Sequence, residues 1–167
     1  MLSSSRRVIL VVAAVIGACT LVVRAQDISN ADAEVQYQLG NLLSDETRYQ
    51  EALAAFDRAT HAPDFDLAIR ARKGKVKTEL RLAEFVTARA DADQLRKAVP
   101  ADTEAATLYA DALWATGLFD EADVVYEDVL RRVPGSARAR FGVSRSLATK
   151  SRLDDALREG LSAVAAS

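Results

Sequence analysis

The sequence predicts an all-α protein built from four consecutive helix pairs, and three observations lead to this prediction. Apolar residues recur at helical spacing along most of the chain. The 167 residues include only seven glycines and three prolines, too few for the many turns of an all-β fold. A motif that opens an amphipathic helix also recurs, at intervals of 33, 37 and 34 residues, and its equivalent positions are Ala52, Phe85, Ala122 and Ala156. Intervals of about 34 residues are typical of arrays of αα-hairpins.

The first 25 residues are predicted to lie outside this fold and to direct export. The pair Arg6–Arg7 precedes an apolar run over 8–23, and Ala25 offers a small residue at a plausible cleavage site, which is the pattern of a secretory signal peptide. Three alternatives remain: an uncleaved membrane anchor, a lipoprotein signal with Cys19 as the lipidated residue, and a twin-arginine signal. All of them place the rest of the chain outside the cytoplasm, either periplasmic or secreted. Membrane contact is expected only if the segment is uncleaved or lipidated.

The composition argues against several classes of function. The formal net charge is −2 and becomes −5 when the three arginines of the N-terminal segment are removed. Because general nucleic-acid binding depends on clustered positive charge, no nucleic-acid partner is expected. His61 is the only histidine and Cys19 the only cysteine, so no nucleophile with a neighbouring histidine base is visible. The acidic residues lack calcium-loop spacing and the glycines are scattered singly, so we predict no enzymatic activity, no metal and no cofactor.

The helix pairs follow a polar linker at 26–32, in which Asn30 or Asp32 is predicted to cap the first helix. In chain order, the predicted helices cover about 33–44, 48–60, 67–80, 83–98, 103–116, 119–132, 137–149 and 153–166. Asp102 and Ser136 are predicted caps, and the three prolines mark the ends of second helices because the residue before proline disfavours the α conformation. The four units are expected at 33–63, 66–100, 102–134 and 136–166.

Small residues at the predicted contacts between paired helices suggest a family. Gly40 and Ala110 face Ala52 and Ala122, where two bulky side chains could not both be accommodated at the packing density of a protein interior. Together with the leucine and aromatic positions around them, the chain over 33–166 resembles tetratricopeptide-repeat (TPR) proteins. The matching residues are Leu39, Gly40, Leu43, Tyr49, Ala52, Phe56 and Ala59, then Tyr109, Ala110, Leu113, Gly117, Phe119, Ala122, Tyr126 and Pro134, and finally Val143, Leu147, Leu153, Ala156 and Ala163.

The second unit departs from this pattern. Phe85 stands where the other units carry alanine, Lys73 stands opposite it, and Pro100 follows about three residues late. The lysine stem could lie along the phenylalanine ring with its charge in water. We therefore expect a locally irregular helix pair.

The resemblance implies a right-handed superhelical solenoid that acts as a non-enzymatic protein–protein interaction scaffold or adaptor, here in the cell envelope. In this family the first helix of each pair lines a concave groove that receives a protein or peptide partner. Transfer of those positions gives eleven groove positions, which include Glu34, Thr107 and Arg138. The other eight are the candidate binding residues: Tyr37, Asn41, Arg70, Lys77, Asp111, Trp114, Phe141 and Arg145. Core packing is the alternative role for Trp114 and Phe141.

Two further features leave alternatives open. The five cations over 70–77 form either a solvated helix face or a site for an acidic peptide or an anionic lipid. The last helix would leave one side of Ala156, Leu157, Leu161 and Val164 uncovered, which predicts either self-association through that helix or a chain that continues beyond Ser167. In the second case the repeats would be the N-terminal arm of a larger exported enzyme, such as a hydrolase.

Overall fold

The computed structural model describes residues 28–166 and arranges them as eight α-helices. In chain order these are α1 (Asn30–Asp45), α2 (Tyr49–Ala59), α3 (Phe65–Arg81), α4 (Phe85–Ala98), α5 (Thr103–Ala115), α6 (Phe119–Arg132), α7 (Ala137–Thr149) and α8 (Leu153–Ala165). The described residues contain no β-strand, so the predicted all-α class with four helix pairs is confirmed for this part of the chain. The predicted export signal lies outside the described residues. No helix within 28–166 combines the length and the apolar character that a bilayer-spanning helix requires.

The first helix of each pair begins with a side-chain cap, whereas the second helix does not. Asp64, Asp102 and Ser136 accept hydrogen bonds from backbone N–H groups at the starts of α3, α5 and α7. Such a cap is worth about 1 kcal/mol because it satisfies a donor that the helix itself leaves open. The predicted capping roles of Asp102 and Ser136 are confirmed.

The predicted cap of the first helix is wrong. Its N-cap is Ser29, whose Oγ accepts a hydrogen bond from the Asp32 N–H at 3.1 Å, because the helix starts three residues earlier than expected. Asn30 is the first helical residue, and its side-chain oxygen accepts from the Asp64 N–H at 2.9 Å. Asn30 thereby links the start of α1 to the start of α3.

Each pair is closed by a three-residue loop with one shared backbone conformation. The middle residue has a positive φ in every case: 60° at Thr47, 61° at Ala83, 82° at Gly117 and 59° at Ser151. The N–H of the next residue then bonds to a carbonyl five positions back, as from Arg48 to Leu43 at 2.8 Å. This is the left-handed closure that commonly ends helices and usually uses glycine. Only the third loop has the glycine that the conformation favours.

The loops fix the register of the second pair and correct its predicted alignment. Ala52, Ala88, Ala122 and Ala156 are each the fourth residue of a second helix, and all are buried. Phe85 is the first residue of α4, so Ala88 and not Phe85 occupies the alanine position. In this register the residue opposite is buried Val76 rather than Lys73, so the predicted contact between Lys73 and Phe85 is wrong.

Neighbouring pairs meet through matched large and small residues. The Phe56 ring of α2 lies so close to Gly40 and Gly74 that an added Cβ would come within 2.7 Å and 2.5 Å of the ring, respectively. Tyr126 of α6 lies equally close to Gly142 of the fourth pair. A large ring on one pair therefore requires a glycine on the next.

The junction between the second and third pairs reverses this arrangement. Ala92 holds the position of Phe56 and Tyr126, and the next pair supplies Leu108 where the others supply glycine. Both residues are fully buried in one apolar cluster that joins α3, α4 and α5. The volume lost on one side of the junction is restored on the other, so interior packing is preserved.

One core position of the second pair is acidic. Glu79 occupies the place that Leu43, Leu113 and Leu147 hold in the other pairs, and only 1% of it is exposed. Its Oε2 has no hydrogen-bond partner among the described residues. Burial, followed by the charge of Asp91, raises the pKa of Glu79 to about 8. The second pair thus contains a carboxyl group where a leucine would be expected.

The final helix presents an apolar stripe to solvent. Leu153, Leu157, Leu161 and Val164 are all more than 60% exposed, whereas Ala156 is buried against α7. The uncovered face agrees with the prediction for Leu157, Leu161 and Val164, whereas the prediction for Ala156 is wrong. Self-association through it remains a prediction.

Candidate protein-binding groove

The four first helices line the inner face of a curved array. Along the described chain, the backbones of α1 and α3, of α3 and α5, and of α5 and α7 approach closely, whereas successive second helices lie farther apart. The array therefore bends toward its first helices and encloses an open groove of about 960 Å³. All eight candidate residues line this groove: Tyr37, Asn41, Arg70, Lys77, Asp111, Trp114, Phe141 and Arg145.

Asp111 of α5 is the centre of a polar cluster at one end of the groove. Its carboxylate accepts hydrogen bonds from the Tyr126 hydroxyl at 2.5 Å, from Arg138 Nε at 2.6 Å and from an Arg145 terminal nitrogen at 3.0 Å. Only 12% of the Asp111 side chain is exposed. Burial, and then the charge of Asp111, raise the pKa of Tyr126, so its hydroxyl remains a donor. The cluster therefore fixes two arginines from α7 against α5.

The guanidinium group of Arg145 is stacked between two aromatic rings. It lies 4.2 Å from the Trp114 ring centre and 5.3 Å from that of Phe141, distances suited to cation–π contact. Trp114 also packs against Phe119 at 5.6 Å between ring centres. Phe141 is 54% exposed, so its alternative role as a core residue is wrong, whereas Trp114 is half-buried and serves both packing and the groove wall. Trp114 Nε1 and Arg145 Nε are buried without a hydrogen-bond partner among residues 28–166.

Glu104 forms a second polar cluster two turns before Asp111 on α5. Its two carboxylate oxygens accept from Lys73 Nζ at 2.9 Å and from Lys77 Nζ at 2.6 Å. Lys73 also pairs with Asp102 at 2.5 Å. Partial burial disfavours the charge of Lys73, but its hydrogen bonds to Asp102 and Glu104 outweigh burial and raise its pKa. The ammonium group therefore stays charged at neutral pH.

The opposite end of the groove belongs to α1 and α3. Arg70 lies 4.8 Å above the Tyr37 ring and pairs with Glu34 at 3.1 Å. Tyr37 also packs against Phe56, with ring centres 6.0 Å apart. Asn41 lines the wall one turn further along α1. This end of the groove therefore presents aromatic rings, with the Arg70–Glu34 ion pair beside them.

The basic run over 70–77 mainly joins repeats to one another. Four of its five cations pair with carboxylates of other helices, and Lys75 bridges Asp57 and Asp91 at 3.0 Å each. Arg72 is exposed on the outside of the groove. Most cations of the run are thus engaged in ion pairs between helices, rather than fully solvated or free to bind a separate ligand.

The groove carries the opposite charge from the rest of the chain. Three of the 22 cationic and one of the 24 acidic residues precede residue 28, which leaves 19 and 23, a net charge of −4 for the described part. The groove wall has two carboxylates, Glu104 and Asp111, and six cations, Arg70, Lys73, Lys77, Arg81, Arg138 and Arg145. Of the positions transferred from the family, Glu34 and buried Thr107 do not line the groove. The sequence prediction missed Lys73, Arg81 and Glu104 as groove residues, although the seven-residue spacing of Glu104 and Asp111 could have revealed one shared helix face.

A curved array of αα-hairpins with a polar and aromatic inner groove defines the class of α-solenoid proteins. Family models described as tetratricopeptide repeat match residues 73–124, 125–167 and 33–61. The chain belongs to the tetratricopeptide-repeat family, whose fold is that of a protein-interaction scaffold. A search of curated proteins found no match. Within residues 28–166, no group of three or more potential ligand side chains could hold a metal ion.

Several solved structures share this fold. TTC0263, a thermophilic TPR protein of Thermus thermophilus, is 21% identical with a TM-score of 0.72, and the match covers 81% of this chain and 74% of that one. MamA from Desulfovibrio magneticus RS-1 is 19% identical with a TM-score of 0.65, over 81% and 75% of the two chains. YrrB, titled a TPR protein with an unusual peptide-binding site, is 24% identical with a TM-score of 0.60, over 81% and 69%. At these identities the likeness extends to the fold alone.

Proposed function

We propose that this protein is a non-enzymatic scaffold that binds a segment of a partner protein along its inner groove. The observation that carries the proposal is the groove itself, because eight positions chosen from the sequence converge on its wall. Exposed Phe141 and half-buried Trp114 offer apolar area next to charged groups, a combination common at the centres of protein interfaces. The wall is held by packing and ion pairs, so a partner would meet a preformed surface at low ordering cost.

Site-specific photo-crosslinking tests this proposal. A photoreactive phenylalanine analogue is placed at Phe141 in the groove and, as a matched control, at Val124, which is 66% exposed on the second helix α6. We expect a defined crosslinked product with envelope extracts from position 141 and none from position 124. Equal labelling at both positions, or none at either, would refute groove binding.

A paired loss-of-contact test complements the crosslinking. Asn41→Ala and Phe141→Ala remove a half-buried and an exposed side chain of the groove wall, in contrast to Tyr37, whose ring supports Phe56. We expect both variants to keep the wild-type melting temperature and to lose partner capture. Capture at wild-type levels would show that the partner lies elsewhere.

The location of this scaffold in the cell envelope is part of the same proposal. It is supported by the charge and hydropathy pattern of residues 1–25. Fractionation followed by N-terminal sequencing tests it. We expect protein processed before Gln26, or full-length protein in the membrane fraction. Intact protein in the cytoplasmic fraction would contradict export.

A further inference from the structure

The first helix of the described array presents an apolar face to solvent, as the last helix does. On α1, Val35 and Leu42 are 63% and 55% exposed, and Leu39 lies between them. The equivalent residues of α3, α5 and α7, counted from the positive-φ loop residue of each pair, include six that are small and buried: Ala71, Thr78, Ala105, Ala112, Ala139 and Ser146. Ala105 and Ala139 belong to the apolar clusters that join a pair to the one before it. This face of a first helix therefore covers a preceding pair, and within residues 28–166 the face on α1 has none to cover.

The two end faces carry apolar residues at a pair of positions that is charged inside the array. Leu161 of α8 is equivalent to Asp57 of α2, and Leu39 of α1 is equivalent to Lys75 of α3. Asp57 and Lys75 belong to consecutive pairs and form an ion pair at 3.0 Å. If a second copy followed α8 in the same geometry, Leu161 would therefore meet Leu39 of that copy. Both members of the charged pair are thus replaced by leucine, one at each end of the array.

The size matching of the internal junctions also fits a following copy. Gly160 of α8 is equivalent to Ala92 of α4, and Gln38 of α1 is equivalent to Leu108 of α5. Inside the array, Leu108 compensates for the small side chain of Ala92 in one buried cluster. In a following copy, exposed Gln38 would lie opposite Gly160. A long side chain would again face a small one, so the new junction keeps the size rule of the internal ones.

The charges of the outermost first helices are complementary as well. Opposite charges meet at every internal junction between first helices, as in the ion pairs Glu34–Arg70, Lys77–Glu104 and Asp111–Arg138. Arg138 binds Asp111 through Nε, and its two terminal nitrogens have no hydrogen-bond partner within residues 28–166. A following copy would bring its α1, with Glu34, next to α7 with Arg138. The alternation of charge along the inner face would therefore continue across the new junction.

We propose that the protein self-associates head to tail, with α8 of one copy packed against α1 of the next. One such contact covers both apolar faces, whereas a two-fold contact between two α8 helices would leave the face on α1 exposed. Because the two surfaces differ, a pair of copies keeps one uncovered α1 face and one uncovered α8 face, and the assembly grows as a linear stack. The inner grooves of successive copies then form one continuous groove. The inference concerns the ends of the array and does not depend on what the groove binds.

Charged substitutions on the two faces test the contact. Leu161→Asp changes the α8 face, and Leu39→Asp and Val35→Asp each change the α1 face. Analytical ultracentrifugation of the full chain, purified in the form that cells produce, measures association, and circular dichroism checks that each variant is folded. We expect the wild type to form species that grow with concentration, and each variant to need about tenfold more protein for the same association, because the contact would bury an unpaired charge. Val124→Asp is the matched control, since Val124 is exposed on α6 outside both faces, and it should associate like the wild type.

Two combinations of variants distinguish a head-to-tail contact from a structural defect. An equal mixture of Leu39→Asp and Leu161→Asp should form dimers and nothing larger, because only the intact α8 face of the first can meet the intact α1 face of the second. The double variant Leu39→Lys with Leu161→Asp should recover association, because it rebuilds across the junction the ion pair of Lys75 with Asp57. This recovered association should weaken as salt rises.

Three results would overturn the proposal. The first is a wild type that stays monomeric at the highest soluble concentration. The second is association that Leu161→Asp abolishes but that Leu39→Asp and Val35→Asp leave intact, which would assign α8 to a two-fold contact. The third is equal association of the wild type and all single variants, which would place the contact elsewhere in the chain.

Discussion

Replacement of Glu79 by leucine should stabilise the protein and remove a pH dependence of its stability. The pKa of Glu79 is raised from an ordinary 4.5 to about 8, so the folded state binds a proton that the unfolded state releases between these values. Stability is therefore highest below pH 4.5 and is lost as the pH rises through about 8. The full shift corresponds to a ceiling of about 5 kcal/mol over the whole pH range, and we expect the wild-type free energy of unfolding to fall by about 2–3.5 kcal/mol between pH 5 and pH 8.

The groups around Glu79 determine what the substitution changes. Asp91 and Glu84 oppose its ionisation, while Lys75 favours it. Leucine at this position restores the residue of the other three pairs, and buried charged groups replaced by apolar ones can gain about 1–4 kcal/mol. We expect Glu79→Leu to gain an amount in this range at pH 8 and little at pH 5.

Urea unfolding at pH 5, 6.5 and 8 measures both effects. Carboxylates with lowered pKa values, such as Asp102 and Glu104, lose stability only in more acidic solution, so they do not disturb this window. Glu79→Gln is the control, because it removes the charge and keeps the shape. It should flatten the pH profile with a smaller gain than leucine. A wild-type profile that is flat, or one that Glu79→Leu leaves unchanged, would refute the reasoning.

Three other perturbations address the loops, the junctions and the groove. Ala83→Gly should raise the free energy of unfolding by about 1 kcal/mol, because glycine adopts the positive φ without strain; an unchanged urea midpoint would contradict this. Ala92→Phe should cost about 1–3 kcal/mol by overpacking, and Leu108→Gly combined with it should recover part of that loss. A double-mutant cycle without coupling would argue against the size matching. Tyr126→Phe should cost about 1–2 kcal/mol in thermal unfolding, because Asp111 loses a donor. No change would mean that the hydroxyl is not needed there.

Most of the fold could be predicted because its signals are local. The helix over Phe119–Arg132 was predicted with its observed bounds, since a glycine turn and a proline mark its two ends. The second pair was misaligned because the segment beginning at Leu82 imitates the start of the repeated motif. Glu79 also stands where the other pairs have leucine, so the apolar pattern that would have corrected the alignment is interrupted. The first and fourth loops also lack glycine, but no second copy of the motif competes there.

The groove could be predicted only as a set of positions. The resemblance to the tetratricopeptide-repeat family implied that groove residues lie on first helices, and the eight candidates were placed there on that ground. The ion pairs of Glu104 with Lys73 and of Asp111 with Arg138 depend on how three helices are oriented in space. Sequence distance does not report that orientation, so the two polar clusters became visible only in the structure.

The size matching between neighbouring pairs has a consequence for how such an array can evolve. If the third unit followed the first directly, Leu108 would meet the Phe56 ring and the two would collide. If the fourth followed the second, Gly142 would face Ala92 across an empty space. Each unit is therefore specific to its neighbours, and shuffling or deletion of one unit would need a compensating change across the new junction. The matched residue sizes at the junctions therefore determine which repeat can follow which.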